Sequence, residues 1–322
     1  MTITGGKKRE KLDRLAELSV RDDERGASLW QEAFRQLRRN PAAIIGAVIL
    51  TIFVLVAVIG PFLVPYGPTD TIGIREGLVK SGQGIIPGIS GEHWLGYDHQ
   101  GRDVFSRMIV GARQTLLVGV VSTLIGLAIG ALIGGVSGAA AGLGGRWGRW
   151  IDTTLMRFID MLLAMPSLLL AVSIAALLGA SLTTVMIAVG VVSVPVFARL
   201  LRGSMISQAN SDYVLAATSL GVKKSKIALT HVVPNSLAPV IVQATLTLAT
   251  AIIEAAALSF LGLGNPDTAV PEWGVMLADA QQYLGIRPSL AIYPAVAIII
   301  TALGFTLLGE AMREALDPKL RK

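Results

Sequence analysis

Long hydrophobic stretches dominate the chain, and short polar segments separate them. Six of these stretches reach the roughly 17 to 25 residues that a helix needs to cross a bilayer. They run over about Ala42 to Val64, Thr115 to Val136, Thr153 to Leu178, Leu182 to Leu200, Leu237 to Gly262 and Leu290 to Leu308. The pattern predicts an all-α fold, a polytopic membrane bundle of six transmembrane helices.

The composition supports this prediction. Of the 322 residues 52% are hydrophobic and only 16% are charged, whereas an ordinary soluble domain has about 25% charged residues. The sequence contains no cysteine, and its three histidines are far apart, so we expect no disulfide, no metal site and no cofactor in this chain. The net charge of +6 fits basic loops on the cytoplasmic side better than a nucleic-acid partner.

Charge also predicts the orientation. An even number of spans returns the chain to its starting side, and most Lys and Arg residues fall in segments on that side. Six basic residues are exceptions: Arg75, Lys80, Arg102, Arg107, Arg113 and Arg287. The positive-inside rule therefore predicts that both termini are cytoplasmic.

The chain divides into segments along these lines. Asn40-Pro41 ends a short amphipathic helix that either lies on the membrane surface or packs on protein. The predicted segments are a tail with this helix (residues 1–41), the first span (42–64), an extracytoplasmic loop (65–114), a core of five spans (115–310) with a cytoplasmic loop (202–235), and a C-terminal cytoplasmic tail (311–322).

Glycines repeat at every fourth position in the second span and just beyond it. They are Gly126, Gly130, Gly134, Gly138 and Gly142. Because association in lipid depends on close packing, such a ridge predicts a tight helix pair, either within this chain or with a partner subunit.

Charged residues inside spans are costly and need an explanation. Arg157 and Asp160 are three residues apart, which suits an ion pair along one helix, although a substrate site is the alternative. Glu254 lies among small residues with no cation nearby in sequence. It either lines a translocation path or makes a buried structural hydrogen bond. Pro166 and Pro195 permit kinks in the third and fourth spans.

The segment from Arg202 to Asn235 is the longest hydrophilic interval between the later spans, and it has an ordered pattern. Asp212 can cap a helix over Tyr213 to Leu220. Gly221 is placed to end that helix in the left-handed conformation. Lys223, Lys224 and Lys226 follow, before Pro234. Physics alone leaves two interpretations open, a helix that transmits force and one that merely connects two spans.

Several motifs resemble one family. Ala216-Ala217, Gly221 and Pro234 have the spacing of the cytoplasmic EAA loop of bacterial ABC importer permeases, with Leu215 where the general motif has glutamate. Further matches are similar to the dipeptide and oligopeptide (DppC/OppC-type) branch. They are His93-Trp-Leu-Gly96, Gly101-Arg-Asp103, Gly111-Ala-Arg113, Met156-Arg157, Pro166-Ser-Leu-Leu-Leu170, Leu258-Ser-Phe-Leu-Gly-Leu-Gly264, Trp273-Gly274 and Asp317-Pro318.

The resemblance implies a permease subunit of an ATP-driven peptide importer in the bacterial inner membrane. Its partners would be a homologous second permease (DppB/OppB-like), two ATPase subunits (DppD/DppF-like) that bind ATP and Mg, an extracytoplasmic solute-binding protein (DppA/OppA-like), the peptide substrate and the lipid bilayer. The residues implied in ATPase coupling are Asp212, Tyr213, Ala216, Ala217, Gly221, Lys224 and Pro234. The outer loop from Asn265 to Gly285, with Trp273, is expected to meet the binding protein.

Other functions share some of these features. Nickel, glutathione and opine importers share the family's motifs. An ion-coupled secondary transporter predicts midplane ion ligands or an inverted repeat, and a membrane enzyme predicts a polar catalytic constellation such as His-Glu-x-x-His. The sequence also has no Gly-x-x-x-x-Gly-Lys-Ser/Thr phosphate loop, so we expect ATP hydrolysis in partner subunits and not in this chain.

Overall fold

Helices make up nearly all of the regular structure in a computed structural model that describes residues 29–77, 79 and 86–316. The described ranges contain no strand, only a single bridge between Tyr97 and Asp103. The predictions for residues 1–26, Lys80 and Asp317-Pro318 lie outside these ranges.

Twelve α-helices lie in the described ranges. They are α1 (Leu29–Leu37), α2 (Pro41–Leu63), α3 (Ile72–Arg75), α4 (Val104–Leu143), α5 (Gly145–Leu163), α6 (Ser167–Leu178), α7 (Leu182–Ala209), α8 (Asp212–Ser219), α9 (Lys224–Ile227), α10 (Val233–Leu258), α11 (Trp273–Ala280) and α12 (Ser289–Leu316). Two π-helical segments, Ala228–Val232 and Ser259–Leu263, extend α10 at its two ends.

Five continuous helical segments are long and apolar enough to cross a membrane. They are α2, α4, α7, α12 and the 40-residue run Lys224–Leu263 that contains α10. A sixth crossing is divided: α5 and α6 meet at 90° across the short break that contains Pro166. The sequence predicts one crossing over Thr153 to Leu178, whereas α6 alone, at about 18 Å, is too short to span the bilayer. The described ranges thus contain five spans, or the predicted six if α5 and α6 together form one crossing.

The bundle is built around α4, which packs against α2, α5, α7 and α10. Helix α12 packs against α2 and α10, and α6 packs against α7. The chain reversals place α1, α8 and the C-terminal end of α12 together at one end, which we call the α8 end. The long loop before α4 and the helix α11 lie at the other, the α11 end.

Helix α1 packs on protein along one side. Ala33 is buried, and the helix contacts α12. Asn40 caps α2 by accepting hydrogen bonds from the amides of Ala42 and Ala43, and its own side-chain amide donates to Glu314 at 3.1 Å. Phe34 remains exposed. The amphipathic helix therefore has one face on protein and another face open.

Candidate functional site

The loop after α7 contains an ordered helix, but the helix starts one residue earlier than predicted. Helix α8 begins at Asp212, and Ser211 is the N-cap residue, without a side-chain capping hydrogen bond. The prediction that Asp212 caps the helix is therefore wrong. Asp212 lies in the first turn, where a negative charge interacts favourably with the helix dipole.

Gly221 ends this helical segment in the left-handed conformation that its position predicts, with φ of +76°. Its amide donates to the carbonyl of Thr218, and the amide of Val222 donates to Ala217. A Cβ at this position would meet nothing within 4 Å. Glycine is thus favoured here by backbone conformation and not by lack of space.

Three contacts fix the loop to the bundle. Val214 is buried in an apolar cluster with Met205 of α7 and Ile227 of α9. The Lys224 ammonium donates a hydrogen bond to the carbonyl of Leu143, the last residue of α4, at 2.9 Å. The Tyr213 hydroxyl donates to Gln208 at 2.8 Å. The loop is therefore attached to the end of α7 through α8 and to the end of α4 through Lys224 of α9.

The other side of the loop is exposed and partly apolar. Leu215 is 68% exposed and Leu220 is 84% exposed, and Ala216 is exposed as well. Pro234 lies in the first turn of α10 and is exposed as well. Exposed apolar side chains on a small projecting helix are typical of a protein-binding surface.

Behind the loop, α5 and α7 carry paired charges. The Arg202 guanidinium donates two hydrogen bonds to the Asp152 carboxylate, and the Ser137 hydroxyl of α4 donates to the same group. Asp160 pairs with Arg199 at 2.6 Å. The predicted pair of Arg157 with Asp160 is therefore wrong.

Sequence reasoning missed Asp152 and Arg202. The sequence does contain an indication of these pairs. Two aspartates lie on α5 and two arginines on α7, all near the α8 end. Because these pairs join different helices, spacing along one helix could not reveal them.

The predicted glycine ridge faces α7 of the same chain. A Cβ on Gly126 would lie 2.6 Å from the Ser193 Cβ, and one on Gly130 would lie 2.6 Å from the carbonyl oxygen of Val194. Gly134 meets the backbone of Ala198, Gly138 meets Met205, and Gly142 meets Ala209. The two helices approach so closely that any side chain on these glycines would displace a neighbour.

Glu254 is half-buried on α10, and Ser167, the first residue of α6, lies beside its carboxyl group. Within the described ranges no basic side chain comes within 4.0 Å of it. Glu254 therefore faces the break between α5 and α6. This position is compatible with both roles that the sequence left open.

At the α11 end a buried ion network joins the long loop to α4 and to the segment before α11. Asp98 accepts a hydrogen bond from Arg102 at 2.7 Å and lies 3.5 Å from the Arg107 guanidinium. Both arginines also donate to the carbonyl of Thr268. These two exceptions to the charge rule are therefore buried and share one carboxylate.

Trp273 is buried within the bundle. It is 1% exposed, its indole N–H donates to the carbonyl of Met108, and its ring packs edge-on against Phe53. The expected part of Trp273 in contact with a binding protein is therefore wrong, whereas contact through the rest of the loop 265–285 stays a prediction. Trp94, 63% exposed beside Phe105, is the exposed tryptophan at this end within the described ranges.

In the described part of the chain, no group of three or more His, Cys, Asp or Glu side chains could hold a metal ion. Glu272, at the start of α11, is buried against Ser259, and burial raises its pKa. Its Oε1 accepts a hydrogen bond from the Gly274 amide, whereas Oε2 has no partner among the described residues.

Comparison with known proteins places this geometry in context. Residues 126–322 match the family described as binding-protein-dependent transport system inner membrane component, and residues 28–75 match the N-terminal TM domain of oligopeptide transport permease C. The chain is 42% identical to a dipeptide transport system permease protein, DppC, from Alkalihalophilus pseudofirmus, over 93% of each chain. It is 39% identical to a glutathione transport system permease protein, GsiD, from Escherichia coli, over 91% of each.

A solved structure of the MetNI methionine ABC transporter, in inward-facing conformations, has a similar fold. The TM-score is 0.53 at 19% identity, and the match covers 66% of this chain and 96% of that one.

Proposed function

This chain belongs to the family of inner-membrane components of binding-protein-dependent transport systems, and we propose that it imports di- or oligopeptides through the cytoplasmic membrane as one permease subunit of an ATP-driven transporter. The observation that carries the proposal is the exposed apolar surface of α8, on a loop that packs against α7 and contacts the end of α4 through Lys224. Such a surface can receive force from a partner and pass it into the membrane bundle.

The proposed orientation places the α8 end in the cytoplasm. Exposed basic side chains at this end include Arg146, Arg149, Lys223, Lys224 and Lys226. At the α11 end, Arg102 and Arg107 are paired with Asp98. The positive-inside rule counts basic residues near span ends, and it favours this orientation. Two ATPase subunits that bind ATP and Mg would then meet α8, and a solute-binding protein would meet the α11 end, where Trp94 is exposed.

Force on α8 has a direct route into the spans. Val214 and Lys224 connect the loop to α7 and to the end of α4, and the glycine ridge holds α4 and α7 together along their length. These two helices would move as one body when the ATPase subunits close. The divided crossing formed by α5 and α6 packs on that body, and its break is the place where the packing can change.

The proposal of a peptide substrate rests on the names of the relatives and on the position of Glu254. One relative carries dipeptide in its name and another glutathione, which is itself a small peptide. A carboxylate beside the break in the divided crossing could attract the α-ammonium group of a peptide, or it could serve α6 alone through Ser167. We propose the first role, together with a second, homologous permease that completes the path.

The test is to purify the full-length chain with its associated subunits and to measure ATP hydrolysis in proteoliposomes with the binding protein. Dipeptides, longer peptides, glutathione and nickel are compared at matched concentrations. Stimulation by peptides supports the proposal, and stimulation by nickel alone would exclude it. Uptake that persists without ATP and follows an ion gradient would show a secondary transporter instead.

The variant Glu254→Gln tests, in the same assay, whether Glu254 contributes to the translocation path. If Glu254 recognises the peptide ammonium, the variant should show a higher KM for dipeptides but not for N-acetylated dipeptides. An unchanged KM for both would exclude the path role of Glu254 without affecting the transporter assignment.

A further inference from the structure

An apolar groove lies in the angle between α1 and α2. It is open on one side, has a volume of about 450 Å³, and has an almost wholly apolar lining. Phe34 and Leu37 of α1 form one wall, Ala47 and Ile52 of α2 form the other, and Leu308 of α12 lies at the base. The Thr51 hydroxyl, which also lines the groove, donates back to the carbonyl of Ala47 and so presents no free donor.

The groove has the depth of one membrane leaflet. Along α2 it runs from Ala43 to Ile52, which corresponds to a rise of about 14 Å. One leaflet contributes about half of the roughly 30 Å hydrocarbon core. The base is closed because Gly46 and Gly304 bring α2 and α12 into backbone contact. The groove therefore opens sideways, where Ile44 and Val48 are exposed on the lipid-facing side of α2.

The shape and chemistry of the groove match a lipid. The groove is open along its side and apolar along its length, and its charged residue, Arg38, lies at one end. A phospholipid has the same arrangement, an apolar chain with a charged group at the interface.

The mouth of the groove carries positive charge. Arg38 lines the groove at the level where α1 meets α2, and its guanidinium lies 5.0 Å from the centre of the Phe34 ring. Arg35 and Arg39 are exposed nearby. Among the side chains that the structure describes, which do not include Glu32, no carboxylate oxygen lies within 4.0 Å of these three guanidinium groups. A phosphate at headgroup depth would therefore meet guanidinium groups that have no ion-pair partner among those side chains.

We propose that this groove is a binding site for an anionic phospholipid of the leaflet at the α8 end. One acyl chain lies along α2, and the phosphate is held by Arg38 with support from its neighbours. The lipid would fill the angle between α1 and α2 and so hold α1 at the membrane surface. The site is independent of the transported substrate.

The test uses the full-length chain with its associated subunits in nanodiscs of phosphatidylethanolamine that contain a trace of photoreactive phosphatidylglycerol. After illumination, mass spectrometry should find the label on groove residues of α2 and on Leu308. Ala47→Phe, which fills the groove from an exposed position, should abolish this labelling. Arg38→Gln should lower it about fivefold, as expected for one arginine near an anionic headgroup. The matched controls Val58→Phe, on the exposed surface of α2 beyond the groove, and Arg149→Gln should leave it unchanged.

Three results would overturn the proposal. Labelling that survives Ala47→Phe would place the lipid elsewhere. Equal labelling by photoreactive phosphatidylethanolamine would remove the role of the anionic headgroup. Labelling of the isolated chain but not of the assembled complex would show that a protein subunit covers the groove.

Discussion

Lys224 donates a hydrogen bond to the backbone carbonyl of Leu143, and this contact joins the loop after α7 to the last turn of α4. The two residues are 81 positions apart in sequence. A lysine at a helix C-terminus satisfies a carbonyl that the helix itself leaves without a partner. The contact thus connects the exposed loop to the longest helix of the described bundle.

Removal of this contact should affect coupling more than stability. Lys224→Met should cost only about 0.5 kcal/mol, because an exposed cation at a helix end contributes little. Transport per ATP hydrolysed should fall, since the loop loses this contact with α4. Lys226→Met is the matched control, because the Lys226 side chain has no hydrogen-bond partner among the described residues. Equal coupling ratios in the two variants would contradict the prediction.

Substitutions of Gly221 test whether coupling depends on the left-handed conformation of the loop. Gly221→Val should destabilise the left-handed turn by about 1 to 2 kcal/mol and uncouple ATP hydrolysis from uptake while the chain still inserts. Gly221→Asn should retain most activity because asparagine tolerates this conformation. Uptake, ATPase activity and membrane yield are measured together. Normal uptake by the valine variant would remove the coupling assignment.

The glycine ridge makes a packing prediction. Gly130→Leu and Gly134→Leu should each destabilise the bundle by about 1 to 3 kcal/mol, the usual cost of overpacking, because backbone atoms of α7 occupy the space. Gly203→Leu is the control, since a Cβ there meets nothing within 4 Å. Thermal unfolding in detergent and recovery of associated subunits provide the measurements. If all three variants had the melting temperature of the wild type, the helices could separate without a cost in stability.

The two charge pairs between α5 and α7 should differ in strength. The Asp152 side chain is 11% exposed and that of Arg202 is 32% exposed, whereas Asp160 and Arg199 are about half exposed. Asp152→Asn should cost about 2 kcal/mol, less than the 3 to 5 kcal/mol of a fully buried pair. Asp160→Asn should cost at most about 1 kcal/mol. A double-mutant cycle for each pair measures the coupling directly. Equal coupling energies would contradict the burial argument.

Because Glu272 is buried at the α11 end, we expect the stability of the fold to depend on pH. Burial raises its pKa, so the folded state favours the neutral form. The stabilising effect is complete below the unfolded-state pKa of about 4.3 and is lost as the pH rises through the raised folded-state pKa. Melting temperature should therefore fall from pH 5 to pH 8, and Glu272→Gln should reduce that fall.

Asp279 is the control for this prediction, because burial also raises its pKa but His99 and Arg102 partly oppose the shift. Asp279→Asn should therefore change the pH dependence less than Glu272→Gln does. A wild-type pH dependence in the Glu272 variant would show that Glu272 is ionised in the fold.

The spans were predictable because a bilayer imposes a single requirement, about 20 apolar residues in a row. The left-handed conformation of Gly221 was predictable because it depends on local backbone geometry. The 90° division of the third crossing was not, since a proline indicates a break but not its angle. The pairs of Asp152 and Asp160, and the burial of Trp273, depend on contacts between distant segments. No local pattern encodes them.

The divided crossing also determines which side of the bundle can face lipid. Residues Ala164 to Ser167 are exposed in this chain, and a helix break leaves backbone amides and carbonyls without helical partners. Hydrocarbon cannot solvate such groups, and each one left unpaired costs several kcal/mol. This side must therefore adjoin water or another polypeptide, whereas α2, with its exposed branched side chains, can border acyl chains. The need to solvate four backbone positions thus determines which side of the bundle faces the lipid and which side faces water or a partner.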